Sequence, residues 1–120
     1  MTKDWRIYAE HIVAAIERVW DYRSRLKAGR ADADIATDAI LRLMETICEA
    51  ASEKLPDAVK DRHSDIEWKE IKGMRIRLAH GYLSVDPAIL ETTIDRDLEP
   101  LYAAMKAELR DESSPASGRV

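Results

Sequence analysis

Between Arg75 and Tyr82 the chain reads Arg-Ile-Arg-Leu-Ala-His-Gly-Tyr. Two guanidinium groups, an imidazole and a phenol therefore fall within eight residues. Arginine grips phosphate oxygens with a planar, permanently charged fork. Histidine gives or takes a proton near neutral pH. Side chains of these types can cleave or transfer at a phosphodiester without a metal ion, by acid–base chemistry and charge stabilisation. Arg75 and His80 are the candidate catalytic pair, with Arg77 and Tyr82 beside them as candidate binding residues.

Helices must position these groups. Ala, Glu, Leu and Arg are plentiful, Phe is absent, and Gly and Pro number four each, which is a helical vocabulary. The expected class is all-α, with four main helices plus a short one. The first helix is predicted over about Lys3–Ala28. Its seam of Trp5, Tyr8, Ile12, Ala15, Val19, Tyr22 and Leu26 recurs at three and four residues. The second is predicted from about Ala31–Asp34 to Leu55, before Pro56. Its apolar positions (Ile40, Leu41, Leu43, Met44, Ile47, Cys48, Ala50, Ala51) cover more than one face. Such a helix must be buried on two sides, the second most simply by another copy of the chain.

Residues 56–64 read as a polar connection. The third helix is expected from near Asp65, capped by Ser64 or Asp65, with Ile71, Met74 and Leu78 as its core stripe and Gly81 as its stop. On this helix Arg75 and His80 lie ~140° apart, while Arg77 and His80 are neighbours at i and i+3. Arg75 therefore serves a site completed by a second subunit, or orients its surroundings through an ion pair with Glu49 or Glu45. Asp86-Pro87 is an N-cap and first-turn pair opening a short helix. A last helix is expected around Leu98–Arg110. Residues 1–111 form the predicted helical domain, and 112–120, rich in Ser, a disordered tail.

The spacing Arg75-x4-His80-x-Tyr82 resembles that of HEPN domains and, more narrowly, of the HepT-like toxin ribonucleases. The likeness extends to Arg42–Ala50, to Trp68–Arg75, to Val85-Asp86 and to Asp97–Leu101. It implies an up-and-down HEPN-type bundle that forms a homodimer. It implies a metal-independent endoribonuclease, the toxin of a type VII-like toxin–antitoxin pair, neutralised by a nucleotidyltransferase antitoxin. Arg75 and His80 would be catalytic at the dimer interface, with Glu49 in support. Tyr82 would line the site and accept AMP from the antitoxin. Two positions depart from the family pattern: Ile76 follows the motif arginine where a polar residue is usual, and Leu43 stands where Asn is usual. The joint change suggests that the two positions meet and pack together. It keeps a second reading open, a catalytically silent HEPN module that binds a nucleotide or a nucleotidyltransferase partner. A third is a dimeric helical scaffold whose arginines form structural ion pairs.

Composition narrows the alternatives. At 120 residues the chain is long enough for one domain with its own core. The net charge of −4 excludes a broad basic footprint for nucleic acid. Residues 71–80 nevertheless form the one block of ten with basic groups and no acid, which suits a local grip on one or two phosphates. No apolar run approaches the ~20 residues that span a bilayer, and no leader pattern opens the chain. Cys48 alone makes no internal disulfide and reads as a small buried hydrophobe. A reducing, cytoplasmic setting is expected. His11 and His63 lack ligand spacing and read as surface residues, so neither a metal site nor a cofactor is expected.

Overall fold

The computed structural model describes residues 4–81 and 85–110, in five helices: α1 (Arg6–Lys27), α2 (Ala33–Glu53), α3 (Asp57–Arg62), α4 (Trp68–Ala79) and α5 (Pro87–Arg110). Among the described residues there is no strand. The architecture is the all-α bundle expected, four long helices and one short. The predicted tail lies outside the described residues.

Each boundary has a local cause. α1 ends where Gly29 takes φ +69°. The Gly29 amide then donates to the Leu26 carbonyl (3.1 Å) and the Arg30 amide to the Arg25 carbonyl (2.8 Å), the paired bonds of a Schellman stop. α2 begins where the Asp32 carboxylate accepts from the Ile35 amide at 3.0 Å. α4 starts later than the spacing predicts, at Trp68, with no side-chain cap from Ser64 or Asp65. The intervening turn is closed by the Trp68 indole, which donates to the His63 carbonyl at 3.0 Å.

α2 is the central helix. Ile40, Leu41, Leu43, Met44, Ile47, Cys48, Ala50 and Ala51 are all buried within one chain. α1 covers one side of the helix and α4 the other. The second side predicted for a partner copy is therefore filled by α4, and α2 gives no argument for a dimer. α5 completes the bundle against α1: Arg23 pairs with Glu91 (3.0 Å) and Asp95 (2.8 Å). Further along, the Tyr102 hydroxyl donates to Glu17 at 2.6 Å while its ring packs on Trp20.

Three other expectations need correction. The connection over 56–64 contains α3, whose Val59 is buried and whose Lys60 ammonium donates to the Ser52 carbonyl at 2.8 Å. His63 is not a plain surface residue, since its Nε2 lies 2.7 Å from Glu108, which Arg62 also holds at 2.8 Å. Nor does the chain break between a short helix at 87 and a last helix at 98. Asp86 accepts from the Ala88 amide at 2.8 Å as expected of an N-cap, but the helix then continues to Arg110 through Pro100. Pro100 lies on the exposed face, so it forfeits one backbone bond without disturbing the buried row of Ile94, Leu98, Leu101 and Met105.

Buried polar groups are few. Asp97 is 3% exposed, its carboxylate held by Nε (2.9 Å) and a terminal nitrogen (3.2 Å) of Arg96. Burial pushes the Cys48 thiol up to about 12, with the Asp97 charge adding to the effect. Cys48 should accordingly resist thiol-specific reagents in the native protein at pH 8 and react at once in denaturant, which a timed thiol titration would check. The bonds from Arg62, then from His63, hold the Glu108 carboxyl below the usual carboxylate range, against the opposing cost of its burial. A carboxyl lowered by folding stabilises the fold at pH above its unfolded value, and the contribution fades as pH falls through the folded value. The melting-temperature gap between the native protein and Glu108→Gln should be full above about pH 5 and close as the solution is acidified through and below about pH 4.

Candidate active site

α4 carries the motif. Its narrow stripe of Ile71, Met74 and Leu78 is buried against the rest of the bundle, which leaves the remaining faces to the polar groups. Arg75 turns toward α2, where its Nε lies 3.6 Å from Glu53. This is the ion pair foreseen as a structural role, but with Glu53 rather than Glu49 or Glu45. Glu45 instead faces Arg42 on its own helix at 3.5 Å. The Arg75 Nε is shielded from solvent and makes no hydrogen bond, since 3.6 Å exceeds bonding length.

Arg77 points elsewhere. Its guanidinium lies over Gly73, where an added Cβ would meet it at 3.7 Å. It also lines a groove of about 300 Å³ between α4 and α5, with Glu70, Ile89, Thr92 and Arg96. His80 is the exposed C-cap of α4, followed by Gly81 at φ +123°. The His80 ring folds back so that Nδ1 lies 3.1 Å from the Ile76 carbonyl. A carbonyl only accepts, so Nδ1 carries the hydrogen and the neutral ring presents Nε2 as its basic nitrogen. Tyr82 lies outside the described residues.

The structure thus brings His80 onto its own helix backbone and keeps Arg75 and Arg77 on opposite sides of α4. Within one chain Arg75 is aimed at Glu53 of α2 and the His80 ring at the Ile76 carbonyl. The expected Leu43–Ile76 contact is not formed as a core pair. Leu43 belongs to the buried core, whereas Ile76 leaves 45% of its surface exposed and stands outside it. Glu49, expected in support of Arg75, lines a groove between α1 and α2 with Tyr8, His11, Thr46, Ala50 and Lys54. Sequence reasoning missed that groove because it assigned Tyr8 to the seam of α1. The neighbouring His11 was the available signal. Among the described residues no group of three or more His, Cys, Asp and Glu could hold a metal ion. No helix among them is long and apolar enough to cross a membrane.

The described residues form an all-α bundle consistent with a HEPN domain, with Arg75, Arg77 and His80 toward the end of its fourth helix. The family model described as "Ribonuclease HepT-like" matches residues 12–108, and the chain belongs to that family. It is 32% identical to the "Probable ribonuclease HepT" of Thermococcus cleftensis, over 84% of this chain and 92% of that protein. It is 37% identical to a candidate RNase of Caldanaerobacter subterraneus subsp. tengcongensis, over 65% of this chain and 69% of that one. A Methanocaldococcus jannaschii protein named for both gamma-glutamylcyclotransferase and RNase is 30% identical over 84% of this chain, which spans 46% of its length. No solved structure gives a significant match.

The Arg75–Glu53 pair joins half-exposed groups at a long distance, and such pairs contribute about 0–1 kcal/mol. Glu53→Gln should therefore change the unfolding free energy in urea by less than about 1 kcal/mol. A larger loss would make Arg75 a structural residue first.

Proposed function

We propose that this chain is a metal-independent endoribonuclease, the toxin of a type VII-like toxin–antitoxin pair, acting as a homodimer. The observation that carries the reading is His80: an exposed imidazole whose Nδ1 is tied to the Ile76 carbonyl and whose Nε2 is left to take a proton. In the reaction, His80 accepts the proton of a ribose 2′-hydroxyl as that oxygen attacks the adjacent phosphorus. The bond from phosphorus to the 5′-oxygen breaks, the leaving oxygen takes a proton from a second acid, and a 2′,3′-cyclic phosphate remains. Two-step acid–base chemistry needs two such groups, and one chain offers one suitable histidine. A two-fold dimer supplies the second. Arg75 stabilises the charge that gathers on the phosphate, an effect often worth ~3 kcal/mol per donor. Arg77 holds a neighbouring phosphate. Tyr82 is the acceptor of AMP from a nucleotidyltransferase antitoxin, which neutralises the toxin in the cytoplasm.

A second reading has one observation in its favour. Ile76 is a large apolar side chain exposed beside the motif, where the family pattern is polar. It fits a catalytically silent HEPN module that docks a nucleotide or a nucleotidyltransferase.

Purified protein should cleave total RNA or tRNA in EDTA and leave cyclic phosphate ends, and His80→Ala should lose at least about a hundredfold in rate. Arg75→Lys should also fail, because a phosphate fork tolerates lysine poorly. Equal cleavage by native protein and His80→Ala would remove His80 from the mechanism. No cleavage by either, with intact folds, would favour the docking module and make Ile76→Asn the decisive variant.

A further inference from the structure

The groove between α1 and α2 has no role in the mechanism above, yet it gathers an aromatic ring, a carboxylate and an ammonium group. It encloses about 210 Å³ and is lined by Tyr8, His11, Thr46, Glu49, Ala50 and Lys54. The Tyr8 ring is half-buried, with its edge contact to His11 at 6.2 Å and 82°. The Lys54 ammonium sits over that ring, 5.7 Å from its centroid. Glu49 is exposed on the same side. One ring, one carboxylate and one ammonium thus border a space about as large as a single planar heterocycle. Glu53, the partner of Arg75, directly precedes Lys54 in the chain.

We propose that this groove is a nucleobase pocket that takes one unpaired base of the RNA substrate. The base stacks on Tyr8, its amino group donates to Glu49, and its phosphate meets Lys54. The inference rests on the ribonuclease reading and names the part of the RNA that one chain holds. Base–aromatic stacking is the usual way proteins hold single strands, because every base has a π face. The ammonium now over Tyr8 makes a weaker cation–π contact, which the arriving ring replaces while the flexible lysine swings to the phosphate. The carboxylate sets a preference. It accepts from the amino groups of adenine, cytosine and guanine, whereas uracil has no amino group to offer.

The test uses the full chain and a short single-stranded RNA with every 2′-hydroxyl methylated, so that it binds without being cut, carrying one 2-aminopurine. Stacking on Tyr8 should quench the 2-aminopurine fluorescence in the native protein and in Tyr8→Phe. Tyr8→Leu, which keeps an apolar side chain in the seam but has no ring, should bind about ten- to a hundredfold more weakly and lose the quench. Lys54→Gln should weaken binding and flatten its salt dependence. Glu49→Gln should reduce the advantage of adenine and cytosine oligomers over uracil oligomers in competition. Lys54 and Glu49 are exposed, so these two variants decide the matter if Tyr8→Leu does not fold. Unchanged binding, quench and base preference in the folded variants, with RNA still cleaved, would overturn the pocket and leave the ribonuclease standing. Failure of the native protein both to bind this RNA and to cleave natural RNA would overturn the two together.

Discussion

The burial of α2 on two sides is the constraint on which the rest of the molecule depends. Met44, Ile47 and Ala51 are completely enclosed, and Cys48 nearly so. Each large apolar side chain withdrawn from water in this way contributes about 1.5–3 kcal/mol, so the arc cannot be left uncovered. α1 takes one side because its seam matches in length. α4 takes the other with only three buried residues, Ile71, Met74 and Leu78. That small footprint is consequential. A helix held by one narrow stripe keeps most of its circumference for polar chemistry, and its C-terminal end is fixed without being enclosed.

The same geometry separates the reactive groups. Around α4, Arg75 faces α2 and Arg77 faces α5, while His80 terminates the helix with its ring bonded to the backbone of the preceding turn. No rotation of one rigid helix brings all three to a common point. What the fold supplies is a set of separately aimed groups, each with a different degree of restraint.

Much of this was legible in the sequence, for reasons that differ by element. α1 and α2 declare themselves through apolar spacing and the acidic start near Ala31–Asp34, both of which are local. α3 was illegible because a six-residue helix has no stable local signal. It is held by Val59 in the core, by Lys60 on the Ser52 carbonyl and by Arg62 on Glu108, a residue 46 positions away. α5 was read as two pieces, a short helix opened by Asp86-Pro87 and a last one from Leu98, yet it runs unbroken through Pro100. In the bundle that proline sits on the outer face, where one lost bond is outweighed by the continuous buried row on the other side. The pairing partner of Arg75 was misplaced by one or two helical turns, from Glu49 or Glu45 to Glu53. Register between two helices depends on how their side chains interlock, which spacing within one helix does not encode. The exposed Ile76 shows the same limit: apolar type was taken for burial, and the face opposite Met74 is turned to solvent.

The unequal restraint of Arg75 and His80 bears on how a phosphodiester could engage them. His80 is anchored through a backbone carbonyl of its own helix, so its Nε2 direction is set before any substrate arrives. Arg75 is held only by a 3.6 Å ion pair between partly exposed groups, and its Nε donor makes no hydrogen bond. A shielded donor without an acceptor carries a free-energy cost that a well-placed acceptor removes. Phosphate oxygens form charge-assisted bonds to guanidinium that are shorter and stronger than this contact. Exchange of Glu53 for a phosphate would thus satisfy a donor that the present pair leaves idle, at the loss of about 1 kcal/mol or less of ion pairing. On this argument the histidine is the fixed element of the site and the arginine the adaptable one. A phosphate bound by Arg75 in this way would draw its guanidinium away from Glu53.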